Sequence, residues 1–266
     1  MLNELNENGV GVEYGMHALT WLLPRALFDK CPEWFRMDEY GARTPDFNMC
    51  ADSDAALSYI TNRAAELAAI FKPTTGFYHF WPDDVVNKRC RCEGCADLTA
   101  PDYLLKINNA LLDGIRRTDP DGKQSYLAYL DALAPPSDIV ARPGIYLEYA
   151  PFDRDMDRPL DDANSAENAA QIKPLEQLLD FFGRADARVL DYWLDNSKLS
   201  GWKKPMKRFV LEPGIVKKDA AFYKSIGFET LSCFACFLGE DYFKLYNEAP
   251  DLDLFMEAAG GGYFLQ

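Results

Sequence analysis

Apolar and polar positions along the chain alternate between two textures. Short runs that are apolar or aromatic almost throughout read as strands: His17–Leu23, Gly76–Trp81, Ser125–Leu130, Ile145–Tyr149, Val189–Leu194, Phe209–Leu211 and Thr230–Leu238. Unbroken apolar character, in place of strict alternation, is what parallel strands covered on both faces require. Helical spacing fills the intervals. Asp52 or Ser53 can N-cap an alanine-rich helix reaching about Phe71, and Pro101 suits the first turn of a helix ending near Thr118. Ala166–Phe182 and Asp219–Ile226 carry the same spacing, with Gly183 and Gly227 as C-terminal stops. Strand–helix alternation predicts βαβ units and an α/β fold of the (β/α) TIM-barrel type. No linker or internal repeat divides the chain, so residues 1–266 are expected to form one domain.

In such a barrel the C-terminal strand ends open onto one face, and catalytic groups come from several of them. HALTWLLPR places His17, Trp21 and Arg25 there, and HFWPDDV places Trp81, Asp83 and Asp84. YLEYAPFDR contributes Glu148, Tyr149 and Arg154; LDYWLDNS contributes Asp191, Trp193, Asp195 and Asn196; VLEPG contributes Glu212. Carboxylates interleaved with aromatics are what glycoside chemistry needs. One acid protonates the leaving oxygen, a second carboxylate attacks the anomeric carbon or activates water, and aromatic faces stack on sugar rings. For any single acid in a loop, plain solvated charge is the competing reading.

Composition narrows the partners. The 266 residues carry 42 acidic and 28 basic side chains, a net charge of -14. That balance offers no basic surface to a nucleic-acid backbone or an anionic membrane. No apolar stretch approaches the length of a membrane span, and the polar, acidic N-terminus is not a secretory signal, so the cytoplasm is the default location. No glycine-rich phosphate loop appears, so no nucleotide cofactor is expected. Only two histidines, His17 and His79, are present, which disfavours histidine-based nucleophilic triads.

Seven cysteines cannot all pair internally. Three of them, Cys90, Cys92 and Cys95 in CRCEGC, can converge on one soft metal, and Cys50 in RTPDFNMC is the preferred fourth ligand of a closed structural zinc site. His79 is less favoured because it lies inside a strand. A disulfide among these thiols, or a reduced loop without metal, are the competing readings. Cys233 and Cys236 sit on a strand and read as buried free thiols pointing to opposite faces.

The series HALTWLLPRALF, PEWF, the N-x-C of Asn48–Cys50, FWPDDV followed by CxCxxC, SYLAY and LEYAPFDR resembles the domain-of-unknown-function family 4838 over roughly His17 to Tyr242. That family belongs to the glycoside hydrolase TIM-barrel superfamily, and its members often follow an α-glucuronidase-like N-terminal domain. The resemblance implies that Asp84 stands where related barrels keep the acid after the fourth strand. It also implies that the first visible strand corresponds to a third barrel strand, so the barrel is expected to be incomplete at its N-terminus or closed differently.

The expectation from the sequence is therefore a glycoside hydrolase-like protein acting on a carbohydrate, an acidic sugar among the candidates. Asp84 would be the general acid and Glu148 the nucleophile or base. His17, Trp21, Trp81, Asp83, Tyr149, Arg154, Trp193, Asp195 and Glu212 would contact substrate, with Arg154 or Arg25 pairing with a uronate. The alternatives are a catalytically silent carbohydrate-binding or scaffold barrel from a larger enzyme, and a metal-stabilised structural domain.

Overall fold

The computed structural model describes residues 2–260 and 264–265, which gather into two compact units divided between Leu147 and Glu148. In the first, α1 (Leu2–Glu7) precedes β1 (Gly15–His17) and a single helical turn, α2 (Leu19–Leu22). The strand expected over His17–Leu23 thus ends at its first residue. Ala18, Leu19, Leu22 and Leu23 are buried while Thr20 and Trp21 are exposed, and that spacing belongs to a helix face. There follow α3 (Asp54–Ile70), β2 (Phe77–Trp81), α4 (Glu93–Ala96), α5 (Ala100–Ile115) and β3 (Lys123–Ala128).

The three strands are parallel neighbours, with Gly15 opposite His79, His17 opposite Trp81 and Phe77 opposite Lys123. Alternation on β2 sends Tyr78 and Phe80 into the apolar core with Ala64, Leu67, Ile107, Leu111 and Ile115 of α3 and α5. Ser53 caps α3 by accepting from the Ala56 N–H, and Thr99 caps α5 by accepting from the Asp102 N–H, with Pro101 in the first turn. The two helices cross closely at Gly114, where a Cβ would stand 2.2 Å from the Thr61 carbonyl oxygen.

Asp102 shows what a structural carboxylate looks like in this unit. It is fully buried and accepts from the backbone N–H groups of Ser137, Asp138 and Ile139 at 2.9, 2.9 and 3.0 Å, and from the Ser137 and Thr99 hydroxyls. Burial opposes its charge, but these donors outweigh burial and hold its carboxyl at about 2. A depressed folded value stabilises the protein above the ordinary carboxylate range, and that contribution is lost as pH falls from about 4 towards 2. Asp102→Asn is expected to cost about 2–4 kcal/mol at neutral pH and progressively less on acidification. Urea unfolding at neutral pH and near pH 3 checks this, and a pH-independent difference would contradict it.

The second unit takes over at the end of β4 (Ile145–Tyr149) and continues through α6 (Ala166–Ile172), α7 (Leu175–Phe182), β5 (Arg188–Asp195), α8 (Asn196–Leu199), α9 (Pro213–Ser225), β6 (Thr230–Cys236), α10 (Glu240–Tyr246), α11 (Leu252–Ala259) and β7 (Phe264–Leu265). Its strands are parallel in chain order, with Glu148 opposite Arg188 and Val189 opposite Leu231, and a register shift in β5–β6 pairing between Asp191 and Leu194. The helix expected over Ala166–Phe182 is broken at Lys173–Pro174, where proline offers no N–H. Phe209–Leu211 forms no strand; it runs as irregular chain into Pro213, the first residue of α9. Both units are α/β with parallel strands, as the strand–helix alternation predicts. Among the described residues no helix is long and apolar enough to cross a membrane.

Candidate functional site

The most definite constellation is in the first unit. Cys50, Cys90, Cys92 and Cys95 are all buried, and their four Sγ atoms lie within 4.8 Å of one another. None forms a disulfide. Tetrahedral zinc–sulfur bonds of about 2.3 Å would place ligand sulfurs ~3.8 Å apart, and the Cys50 and Cys92 sulfurs stand 3.5 Å apart. Local folding explains the convergence. Cys92 is the cap residue of α4 and Cys95 lies within it, with the Cys95 N–H donating to the Cys92 carbonyl at 2.9 Å. Cys50 is brought in by its N–H on the Trp34 carbonyl, and the Arg91 N–H on the Met37 carbonyl ties the CRCEGC loop to the same stretch of chain. The Cys90 sulfur accepts from the Met37 N–H at 3.2 Å and from the Arg43 guanidinium at 3.5 Å, outer donors of the sort that stabilise a metal-bound thiolate. Without a cation the four thiols share charge unequally. Hydrogen bonds from Cys90 and Cys95 pull Cys50 far below the ordinary thiol range, and the hydrogen bond with Cys50 pushes Cys90 up to about 11. His79 is no part of this centre. Its Nε2 meets Glu13 Oε2 at 2.8 Å, its Nδ1 lies 3.2 Å from the Tyr146 hydroxyl, and the Thr75 hydroxyl donates to Glu13.

Beside the cysteines lies a small pocket of about 40 Å³, room for a water or two, lined by His17, Asn48, Trp81, Asp83, Lys88, Arg89 and Tyr103 among others. Asp83 is turned to Arg25, with which it is ion-paired, and it accepts from the Asn48 N–H at 2.6 Å and the Thr20 hydroxyl at 2.9 Å. Burial lowers the Arg25 pKa, against the opposing charge of Asp83. Asp83 is therefore a clamp that holds the Asn48 loop. Asp84, its neighbour, is exposed and does not line the pocket. Trp81 is nearly buried and donates its indole N–H to the Ser125 hydroxyl at 3.0 Å, while its ring lies 5.2 Å from His17. Trp21 is exposed on α2 and lies under the Arg63 guanidinium, 4.1 Å from its ring centroid.

The second unit contains a cleft of about 640 Å³, within the size range of small-molecule sites. Of the residues singled out from sequence, Arg154, Trp193, Asp195 and Glu212 line it together. Their environments differ. Arg154 is buried, with Nη1 on Asp191 Oδ2 and Nη2 on Asp219 Oδ2, both at 2.7 Å. Trp193 is buried and donates its indole N–H to Asp219 at 2.8 Å. Neither is free to meet a uronate or form an open platform. Tyr149 corrects the expectation further: it is fully buried, its hydroxyl donates to the Gln171 carbonyl, and its ring packs on Tyr223 and Phe228. Strand parity is the cause. Tyr149 pairs with Val189, so it shares a sheet face with Asp191 and Trp193, the face covered by Tyr223 of α9. Glu148, on the opposite face, is also fully buried. Asp195 caps α8, accepting from both the N–H and the hydroxyl of Ser197, whereas Glu212 is exposed.

The cleft also uses residues that the strand-end pattern missed: Asp157, Lys198, Trp202 and Arg208. Lys198 sits in the short helix α8 and the others in loops, where only an isolated tryptophan among lysines, GWKKP, gave any signal. Trp202 is 62% exposed and its backbone is left-handed, with φ +54°, held by its N–H on the Ser197 carbonyl. A bulky residue in that region is uncommon and carries backbone strain. Lys198 is half-buried, stacks 4.5 Å from the Phe152 ring centroid and donates to the Phe152 carbonyl; burial lowers its pKa. Of the two strand cysteines, Cys233 is buried and Cys236 only half-buried.

The fold and these sites define a protein of parallel α/β units whose first unit carries a four-thiol centre of metal-ligating geometry. The family model described as "Domain of unknown function (DUF4838)" matches residues 3–182, and the chain belongs to that family. No curated protein and no solved structure matches it.

Proposed function

We propose that this is a carbohydrate-active protein of the glycoside hydrolase-like barrel type, with a sugar held in the cleft of the second unit and a structural zinc ion in the four-cysteine centre. The observation that supports the sugar reading most is Trp202, an exposed indole on the wall of a cleft lined by carboxylates and cations. An aromatic face offers apolar contact to a pyranose, and the charged rim offers hydrogen bonds to its hydroxyls. The zinc reading rests on four soft donors whose sulfurs lie within 4.8 Å of one another; four protein ligands leave no open position for substrate, so the metal would act on stability and not on chemistry. Carbohydrate is the proposed partner, and the net charge of -14 disfavours nucleic acid.

The hydrolytic form of this reading needs a carboxylic acid at the sugar, and neither the exposed Asp84 of the first unit nor the fully buried Glu148 lines the cleft that holds it. Calorimetry with an oligosaccharide panel, run beside hydrolysis of aryl glycosides, tests it. Trp202→Ala is expected to weaken binding about tenfold, the loss of roughly 1–2 kcal/mol of stacking and apolar contact. Binding without hydrolysis is the second reading, favoured by the full burial of Glu148 and by Asp195 being committed to Ser197. It takes over if every aryl glycoside resists while binding persists.

A further inference from the structure

Resting on that carbohydrate reading, we infer that the cleft of the second unit selects glycans bearing free amino groups over neutral glycans and over uronates. Each cation on the cleft wall is already committed. Arg154 is held between the buried Asp191 and Asp219, and Arg208 is bound by Glu248 in a two-pronged pair at 2.9 and 2.6 Å. Lys198 is half-buried and donates to the Phe152 carbonyl, and the carboxylates of Asp153 and Asp195 oppose its charge. Among the acids, Asp155 pairs with Arg158 at 3.4 Å and Asp195 is engaged by Ser197. That leaves Asp157 and Glu212, two exposed carboxylates on the cleft wall for which no ion pair is seen among the described residues. Glu212 stands at the start of α9 without using its side chain as a cap, so its carboxylate is available to a ligand. Beneath them Arg154 carries one positive charge against two buried carboxylates, which adds nothing positive to the field in the cleft. Walls of low dielectric focus the field of the uncompensated charges into the cleft. A uronate carboxylate would meet like charge there. An ammonium on a sugar ring would meet Asp157 or Glu212, and beside the exposed Trp202 face it would gain a cation–π contact as well.

Titration calorimetry in mildly acidic buffer, where sugar amines are protonated, with glucosamine, glucose and galacturonate tetramers tests the selection. The glucosamine tetramer is expected to bind about tenfold more tightly than the glucose tetramer, the sum of two exposed charge pairs, with the galacturonate tetramer weakest. Added salt is expected to erase the difference while sparing neutral binding. Glu212→Gln with Asp157→Asn is expected to bring the glucosamine tetramer to the affinity of the glucose tetramer, with an unchanged thermal unfolding temperature reporting that the cleft is folded; each single variant is expected to lose part of the preference. Equal affinity for the glucose and glucosamine tetramers, or a tighter galacturonate tetramer, overturns the selectivity and leaves the carbohydrate reading standing. If none of the three binds, the carbohydrate reading falls and the selectivity with it.

Discussion

Protein purified under reducing conditions is expected to hold about one equivalent of zinc and to lose several kcal/mol of stability when the metal is removed or Cys50 is replaced by Ser. Four buried thiols within 4.8 Å of one another have no good state without a cation. Protonated, they fill the core with weak hydrogen-bonding groups; ionised, they repel one another in a medium that screens poorly. Zinc removes both penalties by binding thiolates, and the protons are released to solvent. Because the site forms only when the segments around Cys50 and Cys90–Cys95 meet, the binding free energy is also folding free energy. Metal analysis and thermal unfolding with and without chelator read this out. Cys31→Ser is the control, since Cys31 lies outside the centre. Less than about half an equivalent of metal, or an unchanged unfolding temperature in Cys50→Ser, would show that the thiols pack as ordinary core.

Arg154→Met is expected to cost about 3–5 kcal/mol, because it strands Asp191 and Asp219 in the interior with no counter-charge. Asp191 keeps the Tyr223 hydroxyl at 2.7 Å, and Asp219 keeps the Leu160 N–H at 2.6 Å, but neither donor neutralises a charge. The guanidinium itself is disfavoured by burial, and Asp191, Tyr223 and Asp219 overcome that to hold its pKa above the ordinary value. Asp219 moves up, through burial first and the like charge of Asp191 besides, with Arg154 opposing. A carboxyl raised in the folded state contributes stability that is complete below its unfolded value and is lost as pH rises through the folded one. The deficit of Arg154→Met is therefore expected to shrink as pH falls from 7 towards about 4, because a protonated Asp219 needs no partner. Denaturant unfolding of both proteins across that window measures it. Adding Asp191→Asn and Asp219→Asn to Arg154→Met is expected to recover much of the loss. A constant deficit, or no recovery, would mean that lost packing and not stranded charge is responsible.

Much of this was legible in the residues because local signals agreed with the fold. Ser53, Thr99 and Pro101 start helices where capping chemistry says they should, and CRCEGC with the N-x-C around Cys50 marks the thiol centre at the level of single residues. The errors have physical causes. HALTWLL is apolar enough for a strand, but the burial of Leu19 with Leu22 and Leu23 obeys the helical period, and composition cannot separate the two in so short a run. Tyr149 and Trp193 were placed correctly at strand ends, yet which sheet face they take depends on pairing register, a long-range property. The same holds for the adjacent Asp83 and Asp84. The side chain that matches a motif is not necessarily the one that the Asn48 loop engages. Trp202 and Arg208 escaped because loops have no periodicity to mark which side chains line a cleft, and Lys198 because α8 is a single turn, too short to show one.

The cysteine centre has a consequence for how the first unit folds. Cys50 and Cys92 stand 42 residues apart, and the chain between them contains the whole of α3 and β2. Closing a flexible loop of that length in an open chain costs about 3 kcal/mol in lost conformations. An ion captured early by the CRCEGC cluster and then by Cys50 would confine α3 and β2 to a closed ring before either has packed, so that their search for each other is short-range even though their partners in α5 and β3 lie outside it. The metal would then act on the order of assembly as much as on the final stability, with the segment preceding α5 becoming ordered before the helix that covers it.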